Sequence, residues 1–181
     1  EGEEATEERF LSFSSPYILH VATHGGTESK LNPMHGNALY FANYNEDLPT
    51  ENDGKLTAAE ASLMDLKGTR IVTLSACVTG RGDVAQGEGV MGLRRAFVQA
   101  GAQNLIITLW SIGDLSTPIF MEQFYKLAMA EGDASGEPPR ALWKTQRDLM
   151  VGQRKKWKAQ ESEAATVCAC RDYGAFVLNH S

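Results

Sequence analysis

Two side chains in this sequence have the types and setting for nucleophilic chemistry, Cys77 and His24. A thiol attacks as its thiolate, and a neighbouring imidazole can lower the thiol's pKa and then return a proton to the leaving group. The two lie far apart in the chain, which is no obstacle, because such partners meet in the fold and not in the sequence. Gly25 and Gly26 follow the histidine. With no side chain in the way, a substrate carbonyl can approach the backbone there, and the amides of Gly25 and Cys77 are placed to form an oxyanion hole. Taken singly, a cysteine closing an apolar run is a small buried hydrophobe. It is the pairing with His24 that points to catalysis.

The elements that must position this pair read as alternating strands and helices. Residues 17–23 (YILHVAT) form an apolar run that stops at the glycines, and 38–43 (ALYFAN) form a second, with the chain turning back between them. A polar loop from 43 to 56 leads to Thr57-Ala-Ala-Glu60, which has the spacing of a capping box and starts a helix of about two turns that ends before Gly68. Residues 70–76 (RIVTLSA) and 104–109 (NLIITL) are β-branched runs suited to interior parallel strands. After Cys77 a Gly-rich loop extends to residue 89, and 90–100 place apolar side chains at 90, 93, 97 and 98 on an amphipathic helix that Gly101 ends. A helix with Pro118 in its first position starts at Ser116 or Thr117 and runs to about 130, and another runs from near Pro138 through Met150. Segment 152–172 is polar and Lys-rich, and GAFVL at 174–178 reads as the last strand.

This order is that of an α/β sandwich with a mostly parallel sheet and right-handed crossovers. Such sheets react at the carboxyl ends of their strands. That rule selects His24-Gly25, Cys77, and the stretch from Trp110 to Asp114, all along one edge.

Composition narrows the class. The chain has 181 residues, 43% hydrophobic and 22% charged, the profile of a folded globular domain. No window approaches the roughly 18 apolar residues of a membrane span, and the acidic start EGEEATEERF is unlike a secretory signal. With 17 basic and 23 acidic residues the net charge is −6, and no basic cluster exceeds Arg-Lys-Lys at 154–156, so neither nucleic acid nor membrane is an expected partner. Three cysteines, Cys77, Cys168 and Cys170, cannot all pair among themselves, which favours the reducing cytoplasm.

Several motifs have blander readings. Gly87-Glu-Gly89-Val-Met-Gly92 fits a dinucleotide fingerprint, but about ten residues separate it from the preceding strand, whereas in that fingerprint the first glycine ends the strand. His20 and His24 have the spacing of helical zinc ligands, yet on a strand four residues span roughly 13 Å. Cys168-Ala-Cys170 lacks a second ligand pair, and Arg81-Gly-Asp83 is a common tripeptide. No metal and no organic cofactor is expected.

The motifs also carry a resemblance. His20-Val-Ala-Thr-His24-Gly25, Asp53-Gly-Lys-Leu-Thr-Ala-Ala-Glu60, Leu74-Ser-Ala-Cys77, Gly87-Glu-Gly-Val-Met-Gly-Leu-Arg-Arg-Ala-Phe97, Gly101-Ala102, Leu109-Trp110 and the closing GAFVL are similar, in order, to the CHAT family, caspase- and separase-related cysteine peptidase domains often joined to tetratricopeptide repeats. The resemblance implies a caspase-like three-layer sandwich and a His24/Cys77 dyad cleaving peptide bonds through an acyl-enzyme. It implies one CHAT-like catalytic domain over 1–181, the C-terminal part of a larger protein with at least one more strand upstream. The expected partners are a protein or peptide substrate and a tetratricopeptide-repeat region of the same parent chain or an activating protein, in a regulated signalling or defence role. Asp114 falls where separase-like relatives hold an acid for a basic side chain before the scissile bond, and Glu88, in the Gly-rich loop, could line the same pocket. In the blander reading Asp114 supports the N-terminus of the next helix and Glu88 is a solvated acid. Val78 stands where many members have Glu, and Ser111-Ile-Gly-Asp114 where Pro-Val-Asp-Asp is commoner. The rival of another class is a catalytically silent caspase-like signalling or scaffold module.

Overall fold

Apolar runs, a capping box and one left-handed glycine set the frame. The computed structural model describes residues 2–27, 37–45, 53–75, 77–78, 86–110, 115–130, 137–158 and 173–180. In chain order, after a short 3-10 turn at Gly2–Glu4, these form α1 (Glu7–Leu11), β1 (Ile18–Val21), β2 (His24–Thr27), β3 (Asn37–Tyr40), β4 (Lys55–Thr57), α2 (Ala58–Ala61), β5 (Ile71–Leu74) and β6 (Cys77–Val78). Then follow α3 (Gln86–Gln99), β7 (Asn104–Thr108), α4 (Ser116–Ala128), α5 (Pro138–Lys158) and β8 (Phe176–His180). They group into two units, one of Glu1–Trp110 with Asn179–Ser181 and one of Ser111–Leu178.

In the first unit β1 pairs with β5 and β5 with β7, all parallel. Every residue of β5 and β7 is buried, as the continuous β-branched runs require of interior parallel strands. At the sheet's edge, β1 instead buries Leu19 and Val21 in alternation with the exposed His20. The expected α/β class with a mostly parallel sheet flanked by helices is met.

A second sheet, of order β4-β3-β2-β6, was not expected. Residues 17–23 do not form one strand ending at His24. The run breaks at Ala22-Thr23, and His24 opens β2, which pairs antiparallel with β3 and parallel with β6. Alternation of apolar residues reports which face of a strand is covered and not which sheet it joins, so the switch is invisible to it. The Thr23 hydroxyl, donating to the Tyr40 carbonyl, fastens the break to β3.

The local signals act as read. Thr57 Oγ1 accepts from the Glu60 amide while Glu60 Oε2 accepts from the Thr57 amide at 2.7 Å, closing the capping box. The helix it starts has one turn and not two. Helix α3 begins at Gln86, four residues before the expected Val90, so Gly87 and Gly89 are helical despite their low propensity. Its buried stripe, Leu93, Ala96 and Phe97, lies in the core. Gly101 ends it at φ +107 in a Schellman arrangement, with Ala102 N donating to Phe97 O and Gly101 N to Val98 O.

In the second unit α4 buries Phe120, Met121 and Phe124, and Phe120 stacks on Phe176 at 3.9 Å between ring centroids. Pro118 is the third residue of α4 and not the first, tolerable because no amide of a first turn has an intrahelical acceptor. Helix α5 runs eight residues past the expected Met150, and Gln146 Nε2 donates to the carbonyls of Tyr173 and Phe176. The last strand starts at Phe176 and not at 174. Segment 159–172, with Cys168 and Cys170, lies outside the described residues.

One acid of the N-terminal leader is structural. Glu7 is 1% exposed; its amide donates to Asn43 Oδ1 at 3.2 Å and its Oε2 accepts from Gly54 N at 2.9 Å, tying α1 to the ends of β3 and β4. Burial raises its pKa above the usual 4.5 despite that hydrogen bond, and the carboxylates of Glu60 and Asp53 push the same way. The folded state therefore favours the protonated form, so its contribution to stability is largest below the unfolded value and is lost as pH rises through the folded one. Glu7→Gln, which keeps an acceptor for Gly54, should gain stability relative to the native chain as pH is raised from 4 to 8, read by urea unfolding at each pH; a constant difference would show no shifted titration. Gly101→Ala should lower unfolding stability by about 1–2 kcal/mol, since the left-handed conformation resists a Cβ, and an unchanged urea midpoint would contradict this.

Candidate active site

The register of β1 on β5 decides what lies beyond them. Val21 pairs with Leu74, the Ser75 amide donates to the Val21 carbonyl at 2.8 Å, and then both chains leave the first sheet together. They pair again with the offset unchanged, His24 with Cys77 and Gly25 with Val78. The two residues singled out for nucleophilic chemistry thus occupy one rung of a parallel ladder, their backbones one strand spacing apart, about 4.8 Å.

On its other side His24 is the antiparallel partner of Tyr40, so three strands share the rung in the order Cys77, His24, Tyr40. His24 and Tyr40, directly opposed, present their side chains on the same face. The Tyr40 ring leans along that face over Gly26, where a Cβ would lie 2.6 Å from the Tyr40 ring edge and hydroxyl. Gly26 is therefore the bay that admits the ring. The second glycine serves the tyrosine beside His24.

A groove of about 970 Å³ opens beside this rung, and His24 lines it. Its floor is β1 with Ala22 and Thr23, and its walls carry Phe10, Phe13, Phe41, Tyr40 and Tyr44. Tyr40 and Tyr44 are tilted against each other at 4.6 Å, and Phe10 and Phe41 at 5.0 Å. His20 also faces the groove. The residue is exposed, yet the surrounding protein desolvates its ring enough to lower its pKa below 6.5, so the neutral imidazole is favoured at neutral pH. His20 and His24 fall on different strands, β1 and β2, and among the described residues no cluster of three or more His, Cys, Asp or Glu could hold a metal ion.

The other expected site residues are placed less closely. Glu88 is not in a loop; it belongs to the first turn of α3, because the helix starts before the Gly-rich segment ends. Asp114 and Ser111-Ile-Gly before it lie outside the described residues. The strand leading to them, β7, ends at Thr108, and Leu109 and Trp110 beyond it are 42% and 41% exposed. No helix of the described residues is long and apolar enough to cross a membrane.

Comparison with known proteins addresses the family. The sequence profile of the CHAT domain matches residues 1–177. Tetratricopeptide repeat protein 28 of Mus musculus is 30% identical to this chain over 112 residues, 61% of the chain and 4% of that protein. The chain thus corresponds to a small part of that relative's length. With the profile running across nearly all of it, through both strand ends and the helix that follows, the chain belongs to the CHAT domain family, a caspase-like, peptidase-related group.

Proposed function

We propose that this chain is a cysteine endopeptidase domain that cleaves peptide bonds through Cys77 and His24. The observation that carries the reading is the shared rung of His24 and Cys77, where the parallel strands β2 and β6 open side by side.

Cys77 Sγ, as thiolate, adds to the scissile carbonyl carbon, and the amides of Gly25 and Cys77 hold the resulting oxyanion. When the adduct collapses the C–N bond breaks, and the His24 imidazolium gives its proton to the departing amine. A thioester remains on Cys77. Water then attacks it, losing a proton to the now neutral imidazole; the C–S bond breaks, the carboxylic product leaves, and thiolate and imidazolium are restored. A partly exposed strand end is a suitable setting, because His24 is open to solvent and to substrate.

Specificity for a basic residue before the scissile bond follows from Asp114, aided by Glu88, since a carboxylate in a pocket recognises guanidinium by paired charged hydrogen bonds. The substrate is a protein or peptide, and catalysis uses no metal or organic cofactor. The name of the mouse relative supports a working partnership with a tetratricopeptide-repeat region of the same parent chain; an activating protein is the other candidate partner, and the setting is a regulated signalling or defence role in the reducing cytoplasm.

An Arg-terminated peptide bearing a thiol-reactive warhead should label the protein at Cys77 alone, and Cys77→Ala should abolish the added mass in mass spectrometry while leaving circular dichroism unchanged; no labelling of the native chain would favour the silent scaffold. His24→Ala should slow acylation by about 10²–10⁴-fold, the range of general acid–base catalysis, with little change in unfolding midpoint, and equal rates would end the dyad. Asp114→Ala should erase the preference for Arg or Lys over Leu, by about tenfold or more; an unchanged cleavage profile would remove it from the pocket.

A further inference from the structure

We propose that the aromatic groove beside His24 receives the part of the substrate that follows the scissile bond, and that it selects a large aromatic or apolar side chain there. This rests on the peptidase reading of Cys77 and His24.

The rung sets the direction. Its order is Cys77, His24, Tyr40. The carbonyl carbon must sit at the thiol, and the nitrogen that leaves must sit at the imidazole that protonates it. The peptide therefore crosses the rung with its acyl half at Cys77 and its amine half at His24. What lies next to His24, away from Cys77, is Tyr40, and the groove that Tyr40 and His24 both line. The leaving segment has this channel directly before it.

The lining defines what fits. Phe10, Phe13, Phe41, Tyr40 and Tyr44 present ring faces and edges, and a volume of about 970 Å³ holds several side chains. Phe13 is 44% exposed, an aromatic surface that a bound side chain would cover. A peptide ring gains offset or edge-to-face contacts with such walls, whereas glycine or serine gains none. His20 in its neutral form adds a polar group on the β1 floor without placing a charge among the rings. The groove is continuous with the candidate dyad through His24, which distinguishes it from an isolated apolar surface.

The test uses the full chain and paired fluorogenic peptides with Arg before the scissile bond and either Phe or Gly at the first two positions after it, alongside labelling of Cys77 by the Arg-terminated warhead, which has no peptide on that side. The Phe peptide should exceed the Gly peptide in kcat/KM by about tenfold, within the range a hydrophobic pocket discriminates. Tyr44→Ala should bring the ratio to within about twofold, chiefly by raising KM for the Phe peptide. Because loss of the Tyr40 contact could unfold that variant, the exposed Phe13→Ala serves as the second, and it should reduce the ratio in the same direction. Equal rates for the two peptides with normal labelling of Cys77 overturn the groove assignment and leave the dyad standing. A preference that survives both substitutions overturns it too. Absence of both labelling and cleavage overturns the peptidase reading, and the groove assignment with it.

Discussion

Everything at the candidate site depends on one strand pairing. Leu19 and Val21 of β1 are buried, as are Ile71, Val72 and Leu74 of β5, and this burial fixes which residue of one strand faces which residue of the other. A slip of one residue would turn Leu19 and Val21 to the opposite face, at a cost of roughly 1.5–3 kcal/mol for each side chain exposed. The same slip would move His24 out of line with Cys77. Core packing and the alignment of His24 with Cys77 are therefore one constraint, carried across the break from the first sheet to the second without a change of offset.

That constraint explains why so much was legible in the sequence. Runs of β-branched residues at 71–74 and 104–108 can only be covered on both faces, the Thr57/Glu60 spacing can only close a cap, and a glycine after an amphipathic stripe ends a helix. The meeting of His24 with Cys77 could be read because the apolar runs before them are paired strands, β1 and β5, that end just short of each residue.

What was not legible depends on partners that local patterns do not record. The second sheet is held by pairings of β2 with β3 and β6; HGGT has no apolar run, and CV is only two residues, too short to announce a strand. The early start of α3 runs against the propensity of Gly87 and Gly89, which tertiary context overrides. Burial of Glu7 needs Asn43 and Gly54, remote in sequence, and the aromatic groove assembles from residues 2–13, 19–24 and 40–44, none of which is unusual alone. Site residues on strand ends can be read one at a time, whereas a groove is a property of several segments at once.

The two sheets differ greatly in how firmly they hold their strands. β5 is paired along its length with β1 on one side and β7 on the other, whereas β6 contributes two residues to its ladder, at its edge. Opening free energies within a fold follow such differences in buried contact, from near zero at frayed edges to the full unfolding energy in the core. Amides of β5 should thus exchange with solvent deuterium only when the whole unit unfolds, and those of Cys77 and Val78 on a much faster clock. The position of Cys77 is thus anchored through a strand held on both sides, while the residue itself sits in a two-residue strand at a sheet edge.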